Sequence, residues 1–187
     1  VTKDGLADFY DPEGETGKRF LQRRPLEGGG TLRSRFGYRV HPIFHTRRLH
    51  TGVDLAASSG TPIYASGDGV VELAGWQSGY GNKVELKHVN GYETAYGPMS
   101  RIADGMKPGV RVLQGQVIGF VGSTGQSTGP HLHFEIKING NLVDPLSVKL
   151  PKENSLAQQY AGQFKETIGQ ISDLMAREPS TTAVAQN

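Results

Sequence analysis

The chain has 187 residues, enough for one domain of ordinary size plus an appendage, and 36% of them are hydrophobic, enough for a real core. It has no cysteine, which excludes disulfides and thiolate metal sites, so any metal must be held by His, Asp or Glu. A net charge of +2 is too small to imply nucleic acid by itself, and no apolar run is long enough to span a bilayer as a helix.

Residues 1–30 are polar and turn-rich and end in Gly28-Gly29-Gly30. Phe9, Tyr10, Phe20 and Leu21 give this arm something to pack with, so it is expected to lie on the main domain. Positive charge gathers in Lys18, Arg19, Arg23, Arg24, Arg33, Arg35, Arg39, Arg47 and Arg48, a stretch whose only acid is Glu27. Such a stretch is either a face for an anionic partner or a solvated loop region. It also holds Phe20, Phe36, Tyr38 and Phe44, but no recognised nucleic-acid-binding motif, so no nucleic-acid partner is expected.

From 31 to 150 the signals are those of short strands. Glycine, at 26 residues, runs at about twice its usual share and implies many turns. Val70, Val71 and Leu73 follow Gly67 and Gly69. In 83–88, Val84 and Leu86 face one way and Lys83, Glu85 and Lys87 the other. Asn90-Gly91 predicts a hairpin turn into 92–96. A short buried strand is expected over 117–121, between Gly115 and Gly122. Residues 131–138 alternate again, and Asn139-Gly140 turns them into Leu142-Val143. The fold class is therefore mostly β and antiparallel. After about 152 the period changes: Leu156, Tyr160, Phe164, Ile168, Ile171 and Met175 form a stripe that predicts an amphipathic C-terminal helix within 151–178. Asn154 or Ser155 is its expected cap, and 179–187 is an expected disordered tail.

Two groupings among the six histidines point to chemistry. His131 and His133 are two apart on an alternating strand, so both imidazoles share a face while Leu132 and Phe134 take the other. In His50-Thr51-Gly52-Val53-Asp54, an imidazole and a carboxylate lie four apart, and Gly52 with β-branched Thr51 and Val53 favours an extended turn over a helix. Hydrolytic zinc sites use three protein ligands and leave a position for water. His50, Asp54 and one of His131 and His133 supply that count. The remaining histidine then stands nearby, where it can move a proton or hold a carbonyl oxygen. These donors suit zinc, and other divalent metals can use them as well.

The segments 34–39 (Ser-Arg-Phe-Gly-Tyr-Arg), 50–54, 79–82 (Gly-Tyr-Gly-Asn), 122–125 and 129–135 resemble, in order, the motifs of the lysostaphin-type or LytM-domain zinc metallopeptidases. The resemblance covers roughly 31–148. It implies a β-sandwich-like or barrel-like core with a narrow groove. It also implies Zn2+ bound by His50, Asp54 and His133, His131 as a catalytic residue, and hydrolysis of peptide bonds in peptidoglycan. The N-terminal arm and the run to Asp144-Pro145 look most like the Gram-negative members, which cut stem-peptide cross-links. A periplasmic or cell-envelope setting follows. No signal peptide opens the chain and it begins at Val1, so a piece of a longer exported protein is expected, with any membrane anchor or wall-protein partner outside it. Tyr80 and Asn82, on a glycine-flanked loop, are candidate substrate contacts, although the plainer reading makes them turn residues.

One position departs from the family. Active members carry a second non-ligand histidine in a segment that here reads Tyr96-Gly97-Pro98-Met99-Ser100, with Pro98 in its place. Proline offers no side-chain donor, acceptor or titratable group. His41 and His45 precede His50 and could line the groove, and His88 is expected on a strand surface. The alternative to an active peptidase is therefore a catalytically silent domain that binds the wall or activates an amidase.

Overall fold

The computed structural model describes residues 2–3, 6–7, 20–40, 47–125, 127, 129–150 and 158–176. His41, His45, the Asn154 or Ser155 cap and the 179–187 tail lie outside them. The chain divides into two compact units, one of residues 1–20 and 151–187 and one of residues 21–150. In the first, β1 (Thr2–Lys3) pairs antiparallel with β2 (Leu6–Ala7). Its helix runs over Gln158–Ala176, and Ile171 and Met175 of the predicted stripe are exposed. No described helix is long and apolar enough to cross a membrane.

The second unit carries the β fold. Its strands are β3 (Thr31–Ser34), β4 (Gly37–Val40), β5 (Arg47–His50), β6 (Val53–Ala56), β7 (Pro62–Tyr64), β8 (Gly69–Gln77) and β9 (Gly81–Lys87). They are followed by β10 (Tyr92–Ile102), β11 (Arg111–Val112), β12 (Val117–Val121), β13 (His131–Ile138) and β14 (Asn141–Val143). Ten of these form one antiparallel sheet along the path β11-β8-β9-β10-β13-β6-β3, with β14 added to β13, and β12 joining β10 to β7. The sheet branches and does not close into a barrel. β4 and β5 make a separate ribbon.

Alternation explains the core. Leu132, Phe134 and Ile136 on β13, Val84 and Leu86 on β9, Val53 and Leu55 on β6, and Tyr96 on β10 are all fully buried on one face of the sheet. Ile63, Ile118, Val121 and Met99 join them from β7, β12 and the end of β10. Leu21 and Leu26 are buried too, and Leu26 forms an isolated bridge with Ile63. Both Asn-Gly turns have positive φ at each residue: Asn90 at 59° and Gly91 at 72°, Asn139 at 50° and Gly140 at 78°. This is the pattern of a tight hairpin turn matched to strand twist.

β10 runs further than the alternation to Tyr96 predicts. Its early residues pair with β9 and β13, and from Met99 onward it pairs with β12. Pro98 falls at this change of partner, where the register against β9 shifts between Tyr96 and Met99. A proline is tolerated within a central strand where the ladder is already interrupted. Its carbonyl still accepts the Gly122 N–H at 3.1 Å.

His88, read from sequence as a strand-surface residue, anchors a polar chain. Ser66 N–H donates to the Tyr96 hydroxyl (2.9 Å), which lies 2.7 Å from Thr94 Oγ1; that oxygen lies 2.7 Å from His88 Nε2, and His88 Nδ1–H donates to the Asp68 carbonyl (2.7 Å). Only a neutral His88 lets every link donate in one direction, because Nε2 must accept. Burial pushes the His88 pKa down, against the opposing pull of Asp68. The unfolded chain therefore binds more protons below the ordinary histidine pKa, and stability falls as pH drops through that region. Denaturant titrations of the native protein and His88→Gln between about pH 7.5 and 5.5 should isolate this contribution, with the variant losing less stability than the native protein as pH falls.

Candidate metal centre

Strand pairing assembles the site. His50 ends β5, Thr51 and Gly52 make the turn, and Asp54 lies on β6. A Cβ on Gly52 would stand 2.3 Å from the Phe134 carbonyl oxygen, so the turn packs against β13 only with glycine there. β6 and β13 then pair with Asp54 directly opposite His133, and β10 places Gly97 opposite His133 on the other side.

Three ligand atoms converge. His50 Nε2 lies 3.1 Å from Asp54 Oδ1 and 3.1 Å from His133 Nδ1, and His133 Nδ1 lies 2.8 Å from Asp54 Oδ1. A tetrahedral zinc with bonds of about 2.0–2.1 Å sets its ligands roughly 3.3 Å apart, so this triangle is close to the size of one face of such a site. His131 stands apart: its Nε2 is 3.9 Å from Asp54 Oδ1, and it does not complete the close triangle. The choice that spacing left open between the two strand histidines falls to His133 as the ligand candidate.

The outward nitrogen of each imidazole sets its tautomer. His50 Nδ1–H donates to the Arg35 carbonyl (2.8 Å), His131 Nδ1–H to the Gly129 carbonyl (2.8 Å), and His133 Nε2–H to Glu135 Oε1 (3.0 Å). The inward nitrogens of His50 and His133 therefore present lone pairs to the centre of the triangle. Without a cation, His133 faces carboxylates on both sides. Burial alone would lower its pKa, but hydrogen bonds and charges from Asp54 and Glu135 outweigh that and raise it. Burial would likewise raise Asp54, yet the His133 and His50 imidazoles beside it hold its carboxyl well below the usual carboxylate range. A divalent cation would take the place of the His133 proton, and the residues present fit one.

Glu135 is a residue that sequence reasoning did not single out. It is buried, and one oxygen takes bonds from Thr51 Oγ1 (2.5 Å), Tyr80 Oη (3.1 Å) and His133 Nε2. Against the cost of burial, the hydrogen bonds of His133 and Thr51 and the nearby charges of His133 and Lys83 bring its pKa down to about 2. Its position two after His133 on β13 was the available signal, since i and i+2 share a face. Tyr80 is brought to the site by this bond, and its ring centroid lies 6.0 Å from that of His133. Lys83, also buried, stacks over the Tyr80 ring at 3.9 Å and pairs with Glu85 at 2.6 Å. Asn82 is used differently: its Nδ2 bonds the Met99 carbonyl at 3.3 Å, and its backbone N–H bonds Thr124 Oγ1 at 3.1 Å.

Outer carboxylates that orient a ligating histidine typically contribute about 10- to 100-fold in metal affinity. Glu135→Gln is expected to weaken zinc binding by about that factor, measured by competition with a chromogenic chelator. Unchanged affinity would show that Thr51, whose Oγ1 lies 3.4 Å from His133 Nε2, is enough to hold the imidazole.

Known proteins resemble this chain in both sequence and fold. The model of peptidase family M23 matches residues 48–145. The DD-carboxypeptidase/endopeptidase Mpg of Neisseria meningitidis is 50% identical over 78% of this chain and 33% of its own length. The peptidoglycan DD-endopeptidase ShyC of Vibrio cholerae is 40% identical over 89% of this chain and 37% of its own. This chain thus spans about a third of the length of these curated relatives. Among solved structures, a zinc-containing peptidase from Vibrio cholerae matches with a TM-score of 0.66 and 35% identity, covering 80% of this chain and 46% of that one. The catalytic domain of lysostaphin from Staphylococcus simulans matches with a TM-score of 0.56 and 34% identity, covering 64% of this chain and 91% of that one. Matched in sequence across the strands that bring His50, Asp54 and His133 together, and in structure to lysostaphin itself, this chain belongs to peptidase family M23.

Proposed function

We propose that this domain is the zinc-dependent hydrolytic core of a peptidoglycan endopeptidase, acting in the cell envelope on peptide cross-links between stem peptides. The observation that carries it is the triangle of His50 Nε2, Asp54 Oδ1 and His133 Nδ1, with edges of 2.8–3.1 Å, and with His131 Nε2 3.9 Å from the same carboxylate oxygen. The names of the relatives supply the substrate class. A zinc ion held by His50, Asp54 and His133 supplies a Lewis acid for the scissile carbonyl and lowers the pKa of water towards roughly 7.

The chain's own residues do the rest. His131, its Nδ1–H committed to the Gly129 carbonyl, presents Nε2 as a proton acceptor beside the triad. Once protonated there, the same nitrogen can donate to a developing oxyanion or to the leaving amine. Glu135, Thr51 and Tyr80 hold His133 in orientation. Gly97, opposite His133, is buried, and a Cβ there would stand 3.2 Å from the Asn82 carbonyl oxygen, so β10 packs closely against β9 beside the triad.

Pro98 favours a second reading, a silent domain that binds the wall or activates an amidase, because the family's second histidine is replaced by a side chain without proton chemistry. The two readings separate on purified peptidoglycan. The peptidase reading expects cross-linked dimers to be converted slowly to monomers, abolished by a zinc chelator and restored by added zinc. Binding without any chelator-sensitive release would support the silent domain.

A further inference from the structure

The β4–β5 ribbon delivers more than His50 to the metal centre. Its register sets Gly37 opposite His50 and Arg39 opposite Arg48. Because side chains alternate along a strand, His50, Arg48 and Arg39 lie on one face of the ribbon. That face is turned to the triad: His50 is part of it, and Arg39 Nη2 lies 3.7 Å from Asp54 Oδ2. Asp54 therefore offers Oδ1 to the centre and Oδ2 to a guanidinium.

Two arginines directly opposed across a ribbon repel each other unless an anion lies between or beside them. Asp54 meets only part of that need. At 3.7 Å its contact with Arg39 is charge pairing beyond hydrogen-bond reach, and the Arg39 side chain is 45% exposed. Arg48 is exposed as well. Beside them runs an open trough of about 590 Å³, lined by Arg33, Arg35 and Arg39 with Phe36 and Tyr38, and, among the described residues, by no acidic side chain. Arg33 extends this positive rim to the other end of the site: its Nη1 lies 3.9 Å from where a Cβ on Gly129 would stand, and the Gly129 carbonyl orients His131. A planar guanidinium fork matches a carboxylate through two parallel N–H bonds.

We infer that Arg39 and Arg48 form a carboxylate subsite beside the metal-binding triad, which reads an anionic group of the bound peptide close to the bond being cut. The inference rests on the peptidase reading of the site and adds a charge preference to it: peptides with a free carboxylate flanking the cross-link are taken in preference to amidated ones.

The test uses two purified cross-linked stem-peptide dimers that differ only in having the carboxylates beside the cross-link free or amidated. Binding to the zinc-loaded protein is measured by calorimetry, and cleavage is measured as kcat/KM. The native protein is expected to favour the free-acid dimer by about 10-fold or more in binding, as charge-assisted hydrogen bonds imply. Arg39→Met and Arg48→Met should each bring that ratio to within about twofold, and Arg39→Lys should recover only part of it. Arg101→Met, on an exposed residue paired with Asp104, should leave the ratio as in the native protein. Zinc content and circular dichroism of each variant report whether the site and fold persist. A native protein that binds both dimers equally, or a ratio that survives in both Met variants, overturns the subsite. Because the ratio is read in binding, the subsite stands if the free acid is preferred but neither dimer is cut, and then the peptidase reading fails. Equal binding with efficient cleavage of both dimers fails the subsite alone.

Discussion

His133→Ala is expected to lose zinc and hydrolysis together. His133 meets Asp54 and His50 on its Nδ1 side, and Glu135 and Thr51 on its Nε2 side. If a structural zinc contributes on the order of 10 kcal/mol across its ligands, removing one of three protein ligands costs about 3 kcal/mol. That corresponds to roughly 10²-fold or more in affinity. The metal-free variant is also expected to be less stable, because Asp54 and Glu135 lose the cation that sits between them and breaking a buried ion pair typically costs about 3–5 kcal/mol. Two measurements separate these effects. Zinc content after dialysis reads the ligand role, and denaturant unfolding in the presence of chelator reads the ion-pair role. Full zinc occupancy in His133→Ala would remove His133 from the ligand set. His131→Ala provides the contrast: it should keep zinc, since its Nε2 lies outside the close triangle, and lose activity.

The contrast between the two histidines shows which parts of the site were legible in the sequence. Period-2 alternation placed His131 and His133 on one face, and the glycine and β-branched residues of 51–53 predicted an extended link to Asp54. Both features are local, and the structure has β13 and the β5–β6 turn where they were expected. The hairpin turns at Asn90-Gly91 and Asn139-Gly140 were legible for the same reason. Glu135 was not, because an acidic residue on an alternating strand ordinarily faces water; its burial depends on Thr51 and Tyr80 arriving from the turns between β5 and β6 and between β8 and β9. The Arg39–Arg48 pair was hidden by register: the sequence shows a basic stretch, and only strand pairing shows which arginines oppose each other and which face they share with His50. The full length of β10 was hidden by Pro98, which reads as a strand breaker until its place at the handover from β9 to β12 is known.

That same proline makes the second large prediction. Pro98→His is expected to raise kcat/KM on cross-linked peptidoglycan by about 10²- to 10⁴-fold, the usual contribution of a positioned acid–base group or oxyanion donor. The reasoning is local. Gly97 lies opposite His133 in the β10–β13 ladder, so the next residue begins within a few ångströms of the triad's strand, at a point where the β10 ladder is already irregular. The neighbouring strands hold the backbone from both sides: Met99 pairs with Asn82 and with Val121, and the Pro98 carbonyl accepts from Gly122. Pro98→Ala supplies the control, since it removes the ring without adding an imidazole. If the histidine acts chemically, Pro98→Ala should show no comparable gain, and the gain in Pro98→His should vanish with chelator. Equal chelator-sensitive activity in the native protein and both variants would show that His131 suffices for the proton transfers. A gain in both variants alike would point instead to the proline ring obstructing the peptide's path, with the missing imidazole of no consequence.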